Sequence, residues 1–352
     1  MTDKLKVLID TTPLTNANQA RGVGTYTRLL AQELEKIPNI KLERLTHKTA
    51  QGFKPDVVHY PYFDLFFPTL ALRKKAKTVV TIHDLIPLKF PDHYKPGVKG
   101  ELNWKRQQLS LKTVKKIITD SHASKKDIVE LLKIPSEKVE VVYLAGNPEI
   151  EKASDPTIKK VRQHYKLPDE YILYVGDINY NKNLVQLIKS LKFIPEKCHL
   201  VLFGKNFREQ NIVEWDWIKT QISLSDVAQR VHFVNDVTVG DSLTISAIYS
   251  GAMCYVQPSL SEGFGLPVLE AMQAKVPVVS TKNSSLVEVG GKNVIYVGEL
   301  AEEIAEGVKH VMFWSDDERR ERVEEAFSWT NSFSWEKAAR ETARVYQEVA
   351  QT

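Results

Sequence analysis

The chain of 352 residues is 43% hydrophobic and 26% charged, which excludes a disordered or fibrous protein and is typical of a soluble globular one. A chain of this length is too long to form one hydrophobic core of ordinary size, so we predict two domains. The net charge of +4 combines a basic part, +9 over residues 1–150, with an acidic part, −5 over residues 151–352, so the two parts either meet different partners or carry surfaces that attract each other.

Strands and helices alternate over the first part of the chain. Short apolar runs predict strands, in chain order, at Lys6–Ile9, Asp56–His59, Lys77–Ile82, Lys115–Thr119 and Lys138–Leu144. Helical spacing predicts helices from about Tyr26 to Glu35 and over residues 101–117, and Ser124 with Asp127 resembles the capping box that opens another helix. This alternation is typical of a doubly wound parallel sheet.

A polar stretch with three prolines, residues 145–169, precedes a second alternation. Its strands are predicted at Tyr171–Val175, His199–Phe203, Arg230–Val234, Cys254–Gln257 and Pro277–Ser280. An amphipathic helix is predicted from Ser334 to about Ala350. The predicted domains are residues 1–150, a linker at 151–169, residues 170–333, and a final helix at 334–352 that we expect to pack back towards the first domain.

Two glutamates bracket the helix start in PSLSEGFGLPVLEAMQAKVPVVS, residues 258–280. Glu262 is predicted in a loop at the carboxyl end of a strand, where open α/β sheets bind ligands. Pro267 suits the first position of a helix, which puts Glu270 in the first helical turn, beside N–H groups that attract anions. Carboxylates accept hydrogen bonds from hydroxyls, and a helix N-terminus binds phosphate. The segment therefore suits a sugar nucleotide as its ligand. The alternative is that Glu270 only offsets the helix dipole and Glu262 is solvated.

Two Rossmann-like halves leave a cleft between the carboxyl ends of their strands, and polar residues that follow strands are expected to reach it. These candidates, from both halves, are Gly22, Gly24, His83, Lys182, Lys205, Glu262 and Glu270. Several of them also have a structural interpretation, with the glycines as turn formers, His83 as a hydrogen-bonded histidine at a strand end, and Lys182 as a solvated side chain.

Five stretches in a fixed order carry a family resemblance. They are GVGTY, TIHDLIPLKFP, ITDSHASKKDIVELLKIPSEKVEVV, YILYVGDINYNKNL and PSLSEGFGLPVLEAMQAKVPVVS. Together they resemble the retaining GT-B glycosyltransferases of family 4, also called glycosyl transferases group 1, and FSWEKAARETARVYQEV is similar to that family's final helix. The resemblance implies two Rossmann-like domains facing across a cleft, and transfer of a hexose from a nucleoside diphosphate sugar with retention of configuration. TIHDLIPLKFP is most similar to mannosyltransferase members, so GDP-mannose is the first expected donor and a UDP-hexose the second.

The resemblance implies a role for each residue that matches the family pattern. In the second domain, the resemblance implies that Glu262 contacts the donor hexose and that Glu270 binds the ribose hydroxyls. It implies that Lys182 binds the diphosphate and that the backbone around Phe264, Gly265 and Leu266 binds the sugar or phosphate. The base is expected along the backbone near Phe233–Asp236. In the first domain, the resemblance implies His83 near the transferred sugar and Gly22–Gly24 near the phosphates and acceptor. We therefore expect catalysis to depend on Glu262, His83 and Lys182, with donors arranged to stabilise the departing diphosphate.

The chain departs from the family pattern at two places. An arginine usually stands near the lysine, but Asp177 and Asn181 occupy its two positions here, and Lys205 is the candidate substitute. Lys275 stands where the family usually has a glycine that closes the short helix, and a side chain in a left-handed cap is strained by ~1 kcal/mol or more.

No Asp-x-Asp pair occurs in the sequence, so we expect neither a metal-bridged diphosphate nor another cofactor. The expected partners are the nucleotide-sugar donor and a saccharide or lipid-linked acceptor, and no nucleic acid. Two alternatives stay open. One is another enzyme on the same fold, such as a sugar-nucleotide epimerase or a phosphorylase, and the other is a non-catalytic nucleotide-sugar-binding subunit.

The expected location is the cytoplasm. No uncharged apolar run approaches the ~20 residues that span a bilayer, and no apolar signal segment precedes Val7. Cys198 and Cys254 lie within apolar runs and are expected to be free, buried thiols.

Two basic stretches of the first domain suggest a peripheral contact with the inner membrane face. ELNWKRQQLSLKTVKK, residues 101–116, sets Trp104, Leu109, Leu111 and Val114 among Lys105, Arg106, Lys112, Lys115 and Lys116. YPYFDLFFPTLALRKKAK, residues 60–77, is an aromatic run closed by Arg73, Lys74, Lys75 and Lys77. The alternative is that the aromatic run belongs to the core and the lysine-rich helix is a solvated face.

Overall fold

The computed structural model describes residues 4–16, 19, 22–45, 53–74, 76–238 and 240–352. The strands are β1 (Leu5–Asp10), β2 (Ile40–Leu45), β3 (Val57–Tyr60), β4 (Lys77–Thr81), β5 (Lys116–Thr119), β6 (Val139–Val141), β7 (Tyr171–Val175), β8 (His199–Phe203), β9 (Val231–Val234), β10 (Cys254–Gln257), β11 (Val278–Thr281) and β12 (Ile295–Val297). The α-helices are α1 (Gly22–Glu35), α2 (Ile86–Lys89), α3 (Gly97–Leu111), α4 (His122–Leu132), α5 (Asp155–Tyr165), α6 (Leu184–Ser190), α7 (Val213–Ser225), α8 (Ser242–Ser250), α9 (Leu266–Gln273), α10 (Leu286–Gly290), α11 (Ala301–Met312), α12 (Asp316–Thr330) and α13 (Trp335–Gln351).

The first compact unit comprises Met1–Ala145 and Phe333–Thr352. Its six strands lie in the order β2-β1-β3-β4-β5-β6, and every neighbouring pair is parallel. The middle strands are almost entirely buried, as in β4, because a doubly wound sheet is covered on both faces. Helix α13 packs against α1 and against β1, β3, β4 and β5, so the end of the chain completes the core of this unit.

The second compact unit is Gly146–Ser332. Its six strands lie in the order β12-β11-β10-β7-β8-β9 and are also all parallel. The strand order changes direction between β7 and β10, since β8 and β9 extend to one side and β11 and β12 to the other. Such a switch point leaves a crevice at the carboxyl ends of the two strands, which is the preferred ligand position in open α/β sheets.

These two parallel sheets confirm the predicted α/β fold with two Rossmann-like halves. The sequence did not indicate β2 or β12, because the first is an edge strand with little apolar patterning and the second has only three residues. Helix α5 lies inside segment 151–169, which the sequence predicted as a linker. Its polar composition reflects a mostly exposed helix that packs on α8, with Val161 buried.

Three helices differ from the sequence-based expectation. Helix α3 covers Gly97–Leu111 and not residues 101–117, because the chain after it leads into β5. Helix α1 begins at Gly22 and not near Tyr26, so both Gly22 and Gly24 lie in its first turn. Helix α4 is capped by Ser121, whose hydroxyl accepts a hydrogen bond from the Ser124 N–H at 3.0 Å, whereas the sequence placed Ser124 itself at the cap.

Candidate active site

Two loops leave the second sheet at its switch point. The loop after β7 ends in a short 3-10 turn, Tyr180–Lys182, and the loop after β10 spans residues 258–265 and leads into α9. Because β7 and β10 are parallel neighbours, both loops emerge on the same edge of the sheet. This arrangement brings Lys182 and Glu262 together, as the sequence predicted for residues at the carboxyl ends of strands.

Buried side chains fix the loop at residues 258–265. Asn181, which is only 2% exposed, donates from its side chain to the Ser261 carbonyl at 2.9 Å and accepts the Leu260 N–H on its own carbonyl at 2.7 Å. The Thr281 hydroxyl donates to the Ser259 carbonyl at 2.6 Å. A loop without regular structure must satisfy its buried backbone groups in this way. Asn181 therefore shapes the loop, although the sequence marked it only as a missing arginine.

The Glu262 carboxylate is held by three neighbours. Its Oε1 accepts from Gln257 Nε2 at 2.8 Å and from Ser259 Oγ at 2.7 Å. The Lys182 ammonium donates to Oε1 at 2.7 Å and to Oε2 at 2.9 Å. The carboxylate is 9% exposed and the ammonium 19%, so the ion pair is largely withdrawn from water. Among the described residues, Oε2 accepts only from Lys182, which leaves it able to accept a hydrogen bond from a ligand hydroxyl.

Helix α9 begins with backbone N–H groups for which the described residues supply no acceptor. Its N-cap, Gly265, has φ +107°, and a Cβ there would lie 2.9 Å from Leu286, so only glycine fits this turn. Within the described part of the chain, no acceptor faces the N–H groups of Gly265 and Leu266, and Pro267 has no N–H. The Ser285 hydroxyl donates to the Phe264 carbonyl at 2.8 Å and stabilises the turn. A helix start of this kind attracts anions.

Glu270 lies in the second turn of α9, not in the first as the sequence predicted, because the helix starts at Leu266. Its Oε2 accepts from the Tyr249 hydroxyl at 2.9 Å, and the backbone N–H of Asn147 also donates to the carboxylate. Burial raises the pKa of Glu270, and the two hydrogen bonds act in the opposite direction. Tyr249 is fully buried, so this carboxylate is part of a buried polar pair as well as a candidate ligand contact.

The ends of β7 and β8 approach each other so closely that glycine is required. A Cβ on Gly204 would lie 2.1 Å from the carbonyl oxygen of Gly176. Just beyond, the Asn206 side chain donates to the Asp177 carboxylate at 2.8 Å. The Lys205 ammonium is exposed and has no hydrogen-bond or ion-pair partner among the described residues, so it is available to a ligand.

In the first unit, His83 follows β4 and is bound at both ring nitrogens. Nδ1 is 2.6 Å from Asp120 Oδ2, Nε2 is 3.1 Å from the Pro61 carbonyl oxygen, and the Tyr26 ring packs edge-on at 4.7 Å between ring centroids. Burial alone would lower the pKa of His83, but the charge and hydrogen bond of Asp120, with Asp84 and the Pro61 carbonyl, raise it. Both nitrogens face acceptors, so the imidazolium is the form that satisfies them.

Sequence reasoning missed the residues that orient the candidates. Gln257 and Ser259 align Glu262, Tyr249 binds Glu270, and Asp120 fixes His83. Asp120 could have been found, because it directly follows the predicted strand that ends at Thr119.

Two other predicted features, the glycines at the start of α1 and the position of the base, are not among the residues whose contacts are described above. Gly22 and Gly24 start α1 in the first unit, and part of the loop before them, at residues 17, 18, 20 and 21, lies outside the described residues. Phe233, at the predicted base position, is partly exposed at the end of β9, with Phe207 stacked 6.0 Å away. Over the described ranges, no three His, Cys, Asp or Glu side chains are grouped so that they could hold a metal ion.

Two family profiles match consecutive parts of the chain. The profile described as "Glycosyl transferases group 1" matches residues 157–327, and "Glycosyltransferase Family 4" matches residues 37–149. The chain belongs to the group 1 glycosyltransferases. The first match contains Lys182, Lys205, Glu262 and Glu270, and the second contains His83.

Known proteins agree with this family assignment of the enzyme. O-antigen chain mannosyltransferase B of Escherichia coli is 26% identical over 350 residues, which cover 96% of this chain and 88% of the relative. Two solved structures show the same GT-B fold at 16% identity. Sucrose-phosphate synthase from Thermosynechococcus elongatus has a TM-score of 0.74 and covers 98% of this chain and 99% of its own. The Anabaena protein HepE, in complex with UDP and glucose, has a TM-score of 0.73 and covers 98% and 100%.

This group 1 glycosyltransferase compensates for the unusual lysine after α9. Lys275 has φ +56°, the left-handed conformation expected for the missing glycine. The Val276 N–H donates to the Ala271 carbonyl at 2.9 Å and closes the helix end. The Lys275 ammonium pairs with Glu324 and lies 4.8 Å from the centre of the Phe327 ring. These contacts offset the backbone strain, which explains why a side chain is tolerated here.

Proposed function

We propose that this glycosyltransferase moves a hexose from a nucleoside diphosphate to a saccharide or lipid-linked acceptor in polysaccharide synthesis, with retention and without a metal. The observation that carries the proposal is the oriented Glu262 carboxylate, bound to Lys182 beside the unpaired N–H groups of α9. A carboxylate whose Oε2 can accept a further hydrogen bond beside that of Lys182 suits a sugar hydroxyl. The cation and the helix start suit the diphosphate next to it.

The proposed reaction begins with an exchange of partners at Lys182. In the structure its ammonium pairs with the Glu262 carboxylate. An arriving diphosphate competes for that ammonium and for the N–H groups of Gly265 and Leu266, and Glu262 keeps its orientation through Gln257 and Ser259. The freed lone pairs then accept from a hexose hydroxyl, so donor binding and alignment of Glu262 are coupled.

Bond cleavage follows from the charge that leaves with the diphosphate. The anomeric C–O bond breaks, the electron pair stays on the phosphate oxygen, and the sugar becomes oxocarbenium-like. Lys182 and the α9 N–H groups stabilise that developing charge. The acceptor hydroxyl attacks from the same face, and its proton passes to the departing phosphate oxygen. In this proposal His83 lies near the transferred sugar, and its ring is held in one orientation because both of its ring nitrogens are already bound.

GDP-mannose is the first candidate donor and a UDP-hexose the second. The similarity to O-antigen chain mannosyltransferase B supports mannose, and the HepE complex with UDP and glucose supports a nucleoside diphosphate in this fold. We place the enzyme in the cytoplasm, where nucleotide sugars are used. In the described ranges, no helix combines the length and hydrophobicity required to span a bilayer.

A thermal-shift series with GDP-mannose, UDP-glucose, UDP-galactose and the free nucleotides tests the proposal. A donor at about 100 times its Kd should stabilise the folded protein by ~2.7 kcal/mol. Slow release of mannose without acceptor is expected from an enzyme and not from a binding subunit, and an epimerase would instead release a different nucleotide sugar. NMR of the first-formed product reports the anomeric configuration. If none of these donors stabilises the protein, the proposed donor class is wrong.

Replacing Glu270 with alanine is expected to remove most of the stabilisation by the donor, because the ribose loses its charged acceptor. The variant also leaves the Tyr249 hydroxyl buried without an acceptor, which costs ~1–3 kcal/mol of unliganded stability. Glu270→Gln is the matched control, since the amide oxygen can still accept from Tyr249. Melting curves of both variants, with and without GDP-mannose, separate these effects. An unchanged shift in Glu270→Ala contradicts the ribose assignment.

A further inference from the structure

Helix α3 exposes an apolar stripe on the side opposite its core contacts. Val98, Leu102 and Leu109 are 79%, 64% and 56% exposed, and their spacing of four and seven residues puts them on one helix face. Leu111 and Val114, which the sequence predicted on the membrane-facing side, are instead buried in the core of the first unit. Exposed apolar side chains in a row, unlike isolated ones, mark an interaction surface.

A neighbouring segment is hydrogen-bonded to the core-facing side of α3 and has an exposed aromatic side chain of its own. Phe67 is 67% exposed. The Asn103 side chain donates to the Phe66 carbonyl at 2.9 Å, and the Gln107 side chain donates to the Asp64 carbonyl at 2.8 Å. The Asp64 carboxylate in turn accepts the Phe67 N–H at 3.0 Å. Phe67 is therefore held in an exposed position by a built hydrogen-bond network.

Basic side chains border this stripe. They are Lys99, Lys105, Arg106, Lys112 and Lys115, all exposed and all without an ion pair among the described residues. The only acidic residue within α3 is Glu101. Lys77 and Lys116 do not contribute, because they bind the Ala350 carbonyl and Glu140 inside the first unit. Lys75 lies outside the described residues.

We propose that this surface, the α3 face, docks on the anionic headgroups of a phospholipid bilayer. It comprises Val98, Leu102 and Leu109 with the five basic residues of α3 and of the turn that follows it. Apolar side chains at headgroup depth and cations at the anionic surface are the two contributions by which an interfacial helix binds. A second copy of the chain fits poorly, since it would oppose like charges. Nucleic acid would leave the apolar stripe uncovered.

The proposal goes beyond the transfer reaction and does not depend on it, because the α3 face belongs entirely to the first unit. It would place the enzyme where a lipid-linked acceptor resides. Sedimentation of the full chain with phosphatidylglycerol-rich vesicles and with phosphatidylcholine vesicles, at low and high salt, tests it. We expect binding to the anionic vesicles that weakens at high salt, and little binding to the neutral ones.

Paired variants identify the surface. Lys105→Gln with Arg106→Gln is expected to weaken binding to anionic vesicles by about 30-fold at low salt, and Leu102→Gln with Leu109→Gln by about tenfold or more. The matched controls are Lys159→Gln with Lys160→Gln for charge, and Leu224→Gln with Leu243→Gln for exposed leucines of the second unit. All four replace exposed side chains, so folding should be retained.

Two sets of results would overturn the proposal. One is an absence of salt-sensitive binding to anionic vesicles, or equal binding to neutral ones. The other is binding that the α3 variants leave unchanged or that the control variants reduce as much. Stabilisation by GDP-mannose is measured on the same proteins and is expected to be unaffected. Its absence from the wild type would count against the proposed donor and leave the lipid result standing.

Discussion

Replacing Lys182 with alanine is expected to lower kcat/KM for hexose transfer by a factor of about 10²–10³, a loss of ~2.7–4 kcal/mol of transition-state stabilisation. The charge that develops on the departing diphosphate loses a cation that lies at the switch point beside the α9 N-terminus. Glu262 keeps its bonds to Gln257 and Ser259 in this variant. The hexose contact should therefore survive, and the loss should appear mainly in kcat.

One control variant and one further test variant show whether the effect is specific to Lys182. Lys189→Ala removes a half-buried lysine whose ion pair with Glu302, at 3.5 Å, is of the surface kind that contributes ~0–1 kcal/mol, so activity should be unchanged. Lys205→Ala tests the candidate substitute for the missing arginine. A loss similar to that of Lys182→Ala supports this role, and wild-type activity excludes it. Steady-state kinetics on all three variants with one donor give the comparison.

The largely buried Lys182–Glu262 pair allows catalytic and structural effects to be separated. Removing the lysine leaves a carboxylate that is 9% exposed without its counter-ion, so Lys182→Ala should also be less stable. Adding Glu262→Gln removes the unpaired charge and should restore part of the melting temperature. It should not restore transfer. If activity recovers together with stability, Lys182 stabilises the fold and the assignment to the diphosphate is wrong.

The sequence could predict the elements with strong local signals. β7, β8 and β10 were predicted with the bounds that the structure gives, because each is a short run of apolar residues bounded by turn residues. Helix α5 was missed because its polar surface and its proline resemble a linker, and only its packing on α8 reveals the helix. Edge strand β2 lacks the pattern of a buried strand for a related reason.

The sequence likewise predicted only part of the candidate site. Glu262 and Lys182 follow strands at a switch point, so their proximity could be expected from topology. Their direct ion pair, and the side chains that align them, depend on contacts between residues about 80 positions apart. The loop contacts of Asn181 were not predicted for the same reason. Its position suggested a lost phosphate contact, whereas its burial and its bonds to Leu260 and Ser261 show a support for the loop.

The free energy of unfolding of the first unit is expected to be highest near pH 6.5, because two histidines there have opposite pKa shifts. His59 is fully buried, with Nδ1 2.6 Å from the Tyr346 hydroxyl and Nε2 2.8 Å from the Thr81 hydroxyl. Burial, and then the charge of His83, lower the pKa of His59 to about 3. The pKa of His83 is raised through Asp120, as described above.

The two pKa shifts lower the stability on opposite sides of pH ~6.5. Below the unfolded histidine pKa of ~6.5, the unfolded chain binds a proton that folded His59 does not bind, so stability falls by about 1.4 kcal/mol for each pH unit down to the folded pKa. The stability that protonated His83 contributes is complete below pH ~6.5 and is lost as the pH rises through its raised pKa. When His83 loses this proton, its Nε2 faces the Pro61 carbonyl oxygen without a hydrogen to donate.

Urea unfolding of the wild type, His59→Asn and His83→Asn from pH 5 to pH 9 tests this prediction, with hydrogen exchange of β3 and β4 to assign the transition to the first unit. The decisive quantity is the slope of stability against pH, since either substitution also disturbs packing. His59→Asn should flatten the acidic side and leave the alkaline side, and His83→Asn should do the reverse. An acidic slope that persists in His59→Asn would mean that other groups, such as the carboxylates of Asp84 and Asp120 beside His83, control acid stability.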